Sequence, residues 1–230
     1  MARRKQFKGT CTYCAREMTG GGLTRHLKSC KSRLNAINQA NKGTETAQAL
    51  YHLLVKGGPY WLHLEMRGTA TLEDLDSYLR SIWLECCGHL SAFNIGHYTF
   101  SNSPMGGWND DESMEIEVNR VFMPKLKFEH EYDFGSTTKL KIQVMDQRPG
   151  KPTTAHPIAL MARNYAPEVE CMECGEPAVY LCQECMYYSD GTVCEAHSEE
   201  HECGEEMLID LVNSPRTGVC GYDGPATPPY

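Results

Sequence analysis

The sequence predicts an α+β protein in which a central domain lies between zinc-binding segments at the two ends. Cysteine and histidine pairs concentrate in residues 11–30 and 171–203. Between them, several apolar runs alternate at period two, the pattern of half-buried strands. One amphipathic stripe at helical spacing interrupts those runs. We therefore expect a mainly antiparallel central sheet with one main helix, and a small metal-stabilised fold at each end.

Shifts in composition divide the chain into six segments. We expect a basic zinc finger over 1–33, a linker over 34–49, a central α+β domain over 50–148, a connector over 149–168, a two-zinc module over 169–212 and a tail over 213–230. The linker is polar, and the tail is rich in glycine and proline. Such tails are often disordered, although the stretch NSPRTGVCGY could instead be a docking segment.

The first segment contains the ligand spacing C-x2-C-x11-H-x3-C. Cys11 and Cys14 form a pair with a two-residue gap, and His26 and Cys30 lie one helical turn apart. Zinc takes four such ligands in a tetrahedron. This segment resembles the CCHC variant of the ββα zinc finger, with glycines at 20–22 where the helix should begin.

The C-terminal module contains eight further ligands in four close pairs: Cys171, Cys174, Cys182, Cys185, Cys194, His197, His201 and Cys203. Histidines add nothing to a disulfide framework, so the pattern favours two closed zinc sites and a total of three zinc ions per chain. A cross-brace joins the first pair to the third and the second to the fourth, whereas a sequential arrangement joins neighbours. The module resembles the treble-clef and cross-brace zinc modules of the B-box, MYND and AN-type group, which implies protein binding and, less often, nucleic-acid binding.

The central segment contains a helix between strand-like runs. Two β-leaning runs flank Gly57-Gly58-Pro59, which predicts a hairpin. Thr71 and Asp74 have capping-box spacing at the start of the apolar stripe, and Gly88 is the expected end of that helix. We expect SAFNIGHYTF and EIEVNRVF to be strands, and KLKFEHEYDF to pair with TTKLKIQVM in a second hairpin.

Three stretches of this central segment, TLEDLDSYLRSIWL, HLSAFNIG and EHEYDFGSTTKLKIQV, resemble the plasmid Ri ORF-three-like family. Members of that family are also described as passenger proteins of insertion elements. The resemblance covers about 100 residues and is most specific around Tyr132, Asp133, Phe134 and Gly135. It implies a compact α+β domain and no particular activity. Many members follow this motif with an acidic residue and a tryptophan, where this chain has Ser136, Thr137 and Thr138.

Charge divides the chain unevenly. Residues 1–33 contain nine Lys or Arg and one acidic residue, a balance of +8, whereas the other 197 residues have a balance of −16. Such asymmetry favours a basic nucleic-acid-binding arm on an acidic body. Because base-reading fingers use side chains near the helix start, and Gly22 stands at one of those positions, we expect contacts with phosphates instead. The candidates are Arg3, Arg4, Lys5, Lys8, Arg25, Lys28, Lys31 and Arg33.

These features predict a zinc-binding adaptor or regulator that contacts nucleic acid through the finger and protein through the C-terminal module. The alternatives are a scaffold that binds only proteins and an enzyme with its site in the central domain. We predict no catalytic residues, since Cys86 and Cys87 are expected to be core or helix-end residues and Cys220 a spare thiol.

Compartment and membrane association can be assessed from the same sequence. No apolar run approaches the ~20 residues of a membrane span. The start MARRKQFKG leads into a cysteine pair and not into the apolar stretch of a secretory signal. Twelve cysteines in mostly metal-type spacing suit a reducing compartment, so we expect a cytoplasmic protein.

Overall fold

The computed structural model describes residues 7–103 and 111–230 and confirms the α+β class. Its main feature is a sheet with the strand order β2-β1-β10-β4-β3-β9-β8-β5-β6-β7. These strands are β1 (Lys8–Cys11), β2 (Glu17–Thr19), β3 (Gln48–Gly57), β4 (Tyr60–Arg67), β5 (Ser91–Ile95), β6 (Tyr98–Ser101), β7 (Glu112–Ser113), β8 (Lys127–Tyr132), β9 (Thr138–Gly150) and β10 (Ile158–Asn164). Neighbouring strands are antiparallel except β6 and β7.

A second, three-stranded sheet lies in the C-terminal module, in the order β12-β11-β13. It is formed by β11 (Tyr180–Cys182), β12 (Thr192–Val193) and β13 (Leu208–Asp210). The helices of the described residues are α1 (Gly20–Ser29), α2 (Lys31–Lys42), α3 (Leu72–Leu79) and α4 (Glu195–Ser198). None of them is both long and apolar enough to cross a membrane.

Both predicted hairpins of the central segment are confirmed. Strands β3 and β4 pair in continuous register, from Leu50 opposite Arg67 to Gly57 opposite Tyr60. Gly58 supplies the positive φ of +57° that their tight turn requires. Strands β8 and β9 pair on either side of 133–137. Their alternating residues point into one core, as a half-buried antiparallel sheet requires.

Two other local predictions need correction. The run SAFNIGHYTF is not one strand but the hairpin β5–β6, because Gly96 adopts a φ of +63° and reverses the chain. The run EIEVNRVF is not a strand, since Val118–Arg120 forms a 3-10 turn. Val118 and Phe122 are buried four residues apart, and in so short a segment alternation cannot be distinguished from helical spacing.

The main helix begins at the predicted capping box. Thr71 Oγ1 accepts a hydrogen bond from Asp74 N (3.1 Å), and Thr71 N donates to Asp74 Oδ2 (2.8 Å). Helix α3 continues as a π-helical turn over Arg80–Leu84 and so ends before the expected stop at Gly88. Its apolar stripe, including Leu75 and Leu79, is fully buried in the central core.

The sheet includes residues from four of the segments distinguished in the sequence, because β3 begins at Gln48 within the predicted linker. Strand β1 pairs with β10 from the 149–168 segment, and β10 pairs with β4. Helix α2 occupies most of the stretch between the first segment and β3. A second apolar cluster lies where the first segment packs on the central strands, and it contains Cys11, Leu23, Leu27, Cys30, Trp61, Met161 and Ala162. The six-part division into domains remains a prediction.

The C-terminal segment 213–230 docks on the central strands. Ser214 is 1% exposed, and its hydroxyl donates a hydrogen bond to Trp83 O (2.6 Å). Arg216 is fully buried. A Cβ atom at Gly57 would lie 2.9 Å from Pro215 Cβ, so the glycine permits the close approach of the two segments. The docking alternative for NSPRTGVCGY therefore matches the structure, and disorder does not.

Candidate metal centres

The first candidate metal centre contains Cys11, Cys14, His26 and Cys30. Their ligand atoms all lie within 4.8 Å of one another. Cys11 ends β1, and Ala15 N donates to Cys11 O (2.9 Å), which closes a tight turn around the cysteine pair. His26 lies in α1 and its Nε2 is 3.2 Å from Cys14 Sγ. The elements follow in the order strand, strand, helix, so the local fold brings all four predicted ligands together.

Two further centres lie in the C-terminal module, and they group the ligands in the cross-brace arrangement. Cys171, Cys174, Cys194 and His197 form one group, with Cys194 Sγ 3.2 Å from His197 Nδ1. The other group consists of Cys182, Cys185, His201 and Cys203, with Cys185 Sγ 3.5 Å from His201 Nε2. Of the two arrangements that the sequence left open, the sequential one does not match these distances.

Backbone amides favour the thiolate form at one cysteine of each C-terminal group. Burial alone would raise the pKa of Cys171, but the N–H groups of Glu173, Cys194 and Cys174 lower that pKa to about 6. Burial likewise opposes ionisation of Cys182, but hydrogen bonds from Cys185 N and His201 contribute to lowering its pKa to about 7. Zinc binds the thiolate, so these donors favour metal binding at Cys171 and Cys182, whereas burial and neighbouring thiols raise the pKa of Cys185 to about 12.

The grouping predicts the signals of a cadmium-substituted module. Each C-terminal site should give a ¹¹³Cd resonance typical of three thiolates and one imidazole, because each group contains three cysteines and one histidine. NMR of the cadmium-loaded full chain measures this directly. A resonance from an all-thiolate site within 171–203 would contradict the cross-brace grouping.

A fourth cluster, formed by Cys86, Cys87, His89 and Cys220, lies at the end of the main helix. Its ligand atoms also lie within 4.8 Å of one another. His89 Nε2 is 2.9 Å from Cys87 Sγ and 3.6 Å from Cys220 Sγ. Cys220, expected to be a spare thiol, therefore lies among possible metal ligands, and the described residues contain four candidate metal centres where the sequence predicted three.

The number of cysteines in the sequence also indicates this cluster, although the spacing of its ligands does not. The three predicted sites take nine of the twelve cysteines, which leaves Cys86, Cys87 and Cys220. Together with the neighbouring His89 they make one more set of four ligands. Because 131 residues separate His89 from Cys220, only the docking of the C-terminal segment brings the set together.

Comparison with known proteins places most of the chain in one family. The family described as plasmid pRiA4b ORF-3-like protein matches residues 52–205, more than half of the 230 residues. The chain belongs to this family. The match extends beyond the central segment, where about 100 residues resemble this family. It also includes every ligand of the C-terminal module.

The other comparisons assign no function to this plasmid pRiA4b ORF-3-like chain. No curated protein matches it. Among solved structures, a crystal structure of a protein of unknown function from Methanosarcina mazei Go1 is 18% identical, covers 49% of this chain and 67% of its own, and superposes with a TM-score of 0.41. At that level of similarity it supports no argument about fold or function.

In this ORF-3-like chain, the Tyr132-Asp133 motif holds the C-terminal segment in place. The guanidinium groups of Arg80 and Arg216 lie 4.8 and 4.7 Å from the centre of the Tyr132 ring. Arg216 also donates to Asp133 Oδ2 (2.7 Å). This hydrogen bond is the main reason that the pKa of Asp133 falls to about 2. Asp133 is therefore a partner of Arg216 and not a solvated carboxylate.

The predicted phosphate-binding side chains occupy three kinds of position. Arg3, Arg4 and Lys5 lie outside the described residues. Lys8, Arg25, Lys28 and Lys31 are exposed, and Lys28 Nζ is 3.5 Å from Asp146 Oδ2 in an exposed ion pair. Arg33 is buried, and its Nη2 donates to Glu65 Oε2 (2.7 Å).

The start of α1 is packed against the central sheet. Thr19 is its N-cap, with Oγ1 accepting a hydrogen bond from Gly22 N (3.4 Å). A Cβ atom at Gly20 would lie 3.3 Å from the indole of Trp61, so the glycine permits close contact with the strand. In a base-reading finger this end of the helix contacts bases, whereas here it contacts Trp61.

Proposed function

We propose that this chain is a zinc-binding adaptor or regulator whose first segment contacts nucleic-acid phosphates and whose C-terminal module contacts protein. The observation that carries the proposal is the charge balance of +8 in residues 1–33 against −16 elsewhere. Opposite balances in one chain favour binding of a polyanion at one end only. The metal ions would be zinc, because every candidate centre has three thiolates and one imidazole.

The packing of α1 supports phosphate contact over base readout. Gly22 offers no side chain, and the helix start is occupied by Trp61. Of the predicted phosphate-binding residues, four are on the outer surface of the first segment, at Lys8, Arg25, Lys28 and Lys31. Lys28 forms only an exposed ion pair with Asp146. Flexible, exposed amines and guanidinium groups position a protein on a backbone without selecting a sequence. Arg33 is left out of this surface because Glu65 already pairs with it.

Exposed aromatic side chains support a protein-binding role for the C-terminal module. Tyr187 is 76% exposed and Tyr188 is 85% exposed. Met172, 41% exposed, lies beside them, since Ser189 Oγ is 3.9 Å from Met172 Sδ. Tyrosine and methionine are enriched at protein interfaces. Six glutamates surround the last ligands of the module and disfavour phosphates there: Glu195, Glu199, Glu200, Glu202, Glu205 and Glu206.

The same packing of α1 against Trp61 also favours the second candidate, a scaffold that binds only proteins. Under either function, the number of thiolate clusters suits a reducing compartment. We therefore propose a cytoplasmic location. The two candidates differ in one measurable property, which is the salt dependence of nucleic-acid retention.

The zinc-loaded chain is expected to bind duplex DNA or RNA with a strong salt dependence and little sequence preference. With about four phosphate contacts, log K should fall with log salt at a slope near roughly −3.6 on DNA. Replacing Arg25 and Lys28 together by Ala should make the slope shallower by about 1.8, since two contacts are lost. Filter binding at several salt concentrations, with unrelated duplexes, measures both quantities.

The matched control replaces two exposed lysines of the central strands, Lys127 and Lys139, by Ala. Lys139 is paired with Glu131 as Lys28 is with Asp146, so the control removes the same net charge and a comparable ion pair. Its slope should equal that of the unchanged chain. If the intact chain shows no salt-dependent retention at low ionic strength, the nucleic-acid proposal fails and the protein-only scaffold replaces it.

A further inference from the structure

We propose that Cys86, Cys87, His89 and Cys220 bind a fourth zinc ion, and that this site is complete only while the C-terminal segment 213–230 is docked. Three ligands come from one turn after the main helix, and the fourth comes from the docked segment. A metal ion bound to all four would therefore tie the end of the chain to the central sheet. The inference does not depend on nucleic-acid binding.

The turn that contributes three ligands is held in place by its own contacts. Arg80 donates to His89 O through both terminal nitrogens (2.9 Å each) and to Glu85 Oε2 (2.7 Å). Tyr132 OH donates to Glu85 Oε1 (3.1 Å) and accepts from His89 N (3.3 Å). Gly88 adopts a φ of +74°, which lets the chain reverse between the cysteine pair and the histidine. These contacts hold the turn that contains the three ligands, and none of them involves a residue of the docked segment.

The fourth ligand is held by the buried ion pair of Arg216, four residues before Cys220. Arg216 donates to Asp133 Oδ2 (2.7 Å) and to Thr138 Oγ1 (3.0 Å) inside the core. Cys220 then follows in a left-handed conformation (φ 54°, ψ 33°), between Gly218 and Gly221, which also have positive φ. Such a conformation is unfavourable for a residue with a Cβ and is usually maintained where function requires it. In this chain the left-handed residue is Cys220 itself, whose Sγ lies 3.6 Å from His89 Nε2.

The donor set suits zinc better than free thiols or a disulfide. Three sulfurs and one imidazole nitrogen are a common structural zinc set. Cys86 Sγ and Cys87 Sγ are 3.4 Å apart, far beyond the roughly 2.05 Å of a bonded pair. Arg216 Nη2 also lies 3.4 Å from Cys86 Sγ, within reach of a charge-assisted hydrogen bond to a thiolate.

This site differs from the other three in its exposure and its dependence on tertiary structure. Cys87 and Cys220 are both exposed, whereas the other clusters each contain a buried cysteine. Its ligands come from segments that are far apart in the chain, so loss of the metal removes one attachment of the docked segment without unfolding a local module. Zinc occupancy would therefore control how often the end of the chain opens.

Native mass spectrometry of the full-length, zinc-loaded chain tests the site directly. The unchanged chain should retain four zinc ions, and the Cys220→Ser and Cys87→Ser variants should each retain three. The control is His97→Ala, which removes an exposed histidine outside the four clusters and should retain four. Three zinc ions in the unchanged chain, with no loss in Cys220→Ser, would overturn the proposal. So would a mass two hydrogens lower than that of the reduced chain, which indicates a disulfide.

Trypsin cleavage measures how often the docked segment opens, and it does not require the bound metal ions to be counted. Arg216 is fully buried in the docked state, so cleavage after it requires the segment to open. If zinc is present at about 100 times its dissociation constant, binding reduces the open population roughly 100-fold, and cleavage should rise by a similar factor in Cys220→Ser. Cleavage after exposed Arg25 calibrates protease activity. Equal cleavage after Arg216 in Cys220→Ser and His97→Ala would overturn the link between zinc and docking.

Discussion

Chelation of the metal ions is expected to unfold residues 169–212 while the central core keeps its structure. The C-terminal module has strands of only two or three residues and few buried apolar side chains, among them Leu181 and Val193. So small a core cannot offset the conformational entropy of the chain. If each site holds a structural zinc, about 10–16 kcal/mol of binding free energy per ion stabilises the fold. Removing the ions should therefore have the largest effect of any change considered for this chain.

Hydrogen exchange measured by mass spectrometry, with and without a strong chelator, checks this expectation. Amides of 169–212 should lose all protection, and those of β3, β4 and β9 should keep it. The Cys182→Ser variant should reproduce the loss in that module without a chelator, whereas Tyr187→Ser, at an exposed position, should not. Protection that persists throughout 169–212 after complete metal removal would contradict a metal-stabilised module.

The second large effect is expected at Glu65, whose carboxylate lies between two arginines. Glu65 is 4% exposed, accepts from Arg33 Nη2 (2.7 Å) and accepts from Arg148 Nε (2.9 Å) and Nη2 (2.6 Å). Replacing Glu65 by Ala leaves two largely buried guanidinium groups without their anion. Removing one partner of a buried ion pair typically costs about 3–5 kcal/mol. The free energy of unfolding, measured by urea denaturation, should therefore be lower in Glu65→Ala by that amount.

The control is Glu45→Ala, which removes another glutamate paired with an arginine. Glu45 is 50% exposed, and its carboxylate lies 3.7 Å from Arg67. Exposed pairs contribute less than about 1 kcal/mol because water screens them. A free energy of unfolding that changes equally in Glu65→Ala and Glu45→Ala would contradict the role of burial.

The Glu65 contribution should also depend on pH in one direction. Burial opposes ionisation, but the hydrogen bond and charge of Arg148 and the charge of Arg33 outweigh it and lower the pKa of Glu65 in the folded state. Because the folded pKa is depressed, the stabilisation is complete above the unfolded pKa of about 4.3 and is lost as pH falls through the folded value. The difference in stability between Glu65→Ala and the unchanged chain should therefore narrow in strong acid.

Glu65 also explains why sequence reasoning misplaced one basic residue. Arg33 ends a basic run and is indistinguishable from its neighbours by spacing or composition. Its partner lies 32 residues away on β4, and the contact exists only because the first segment packs on the central sheet. Tertiary context alone thus makes Arg33 buried while Lys28 and Lys31 remain exposed.

Features fixed by short-range chemistry were predictable from the sequence. The β3–β4 turn needs a residue tolerant of positive φ, the main helix needs a cap, and paired ligands need short gaps. Each requirement places identifiable residues within a few positions of one another, such as Thr71 and Asp74 or Cys171 and Cys174. The α+β class and twelve of the candidate ligands follow from such patterns, whereas the grouping of the eight C-terminal ligands was left open.

Contacts between distant segments were decided by the tertiary structure. Strand β10 pairs with β1 about 150 residues away, and the fourth cluster needs Cys220 beside His89 across 131 residues. A single sequence shows which residues can ligate a metal or form an ion pair, because that is a property of each side chain. It does not show which of them meet, because burial of the shared core selects one arrangement among many with the same local patterns.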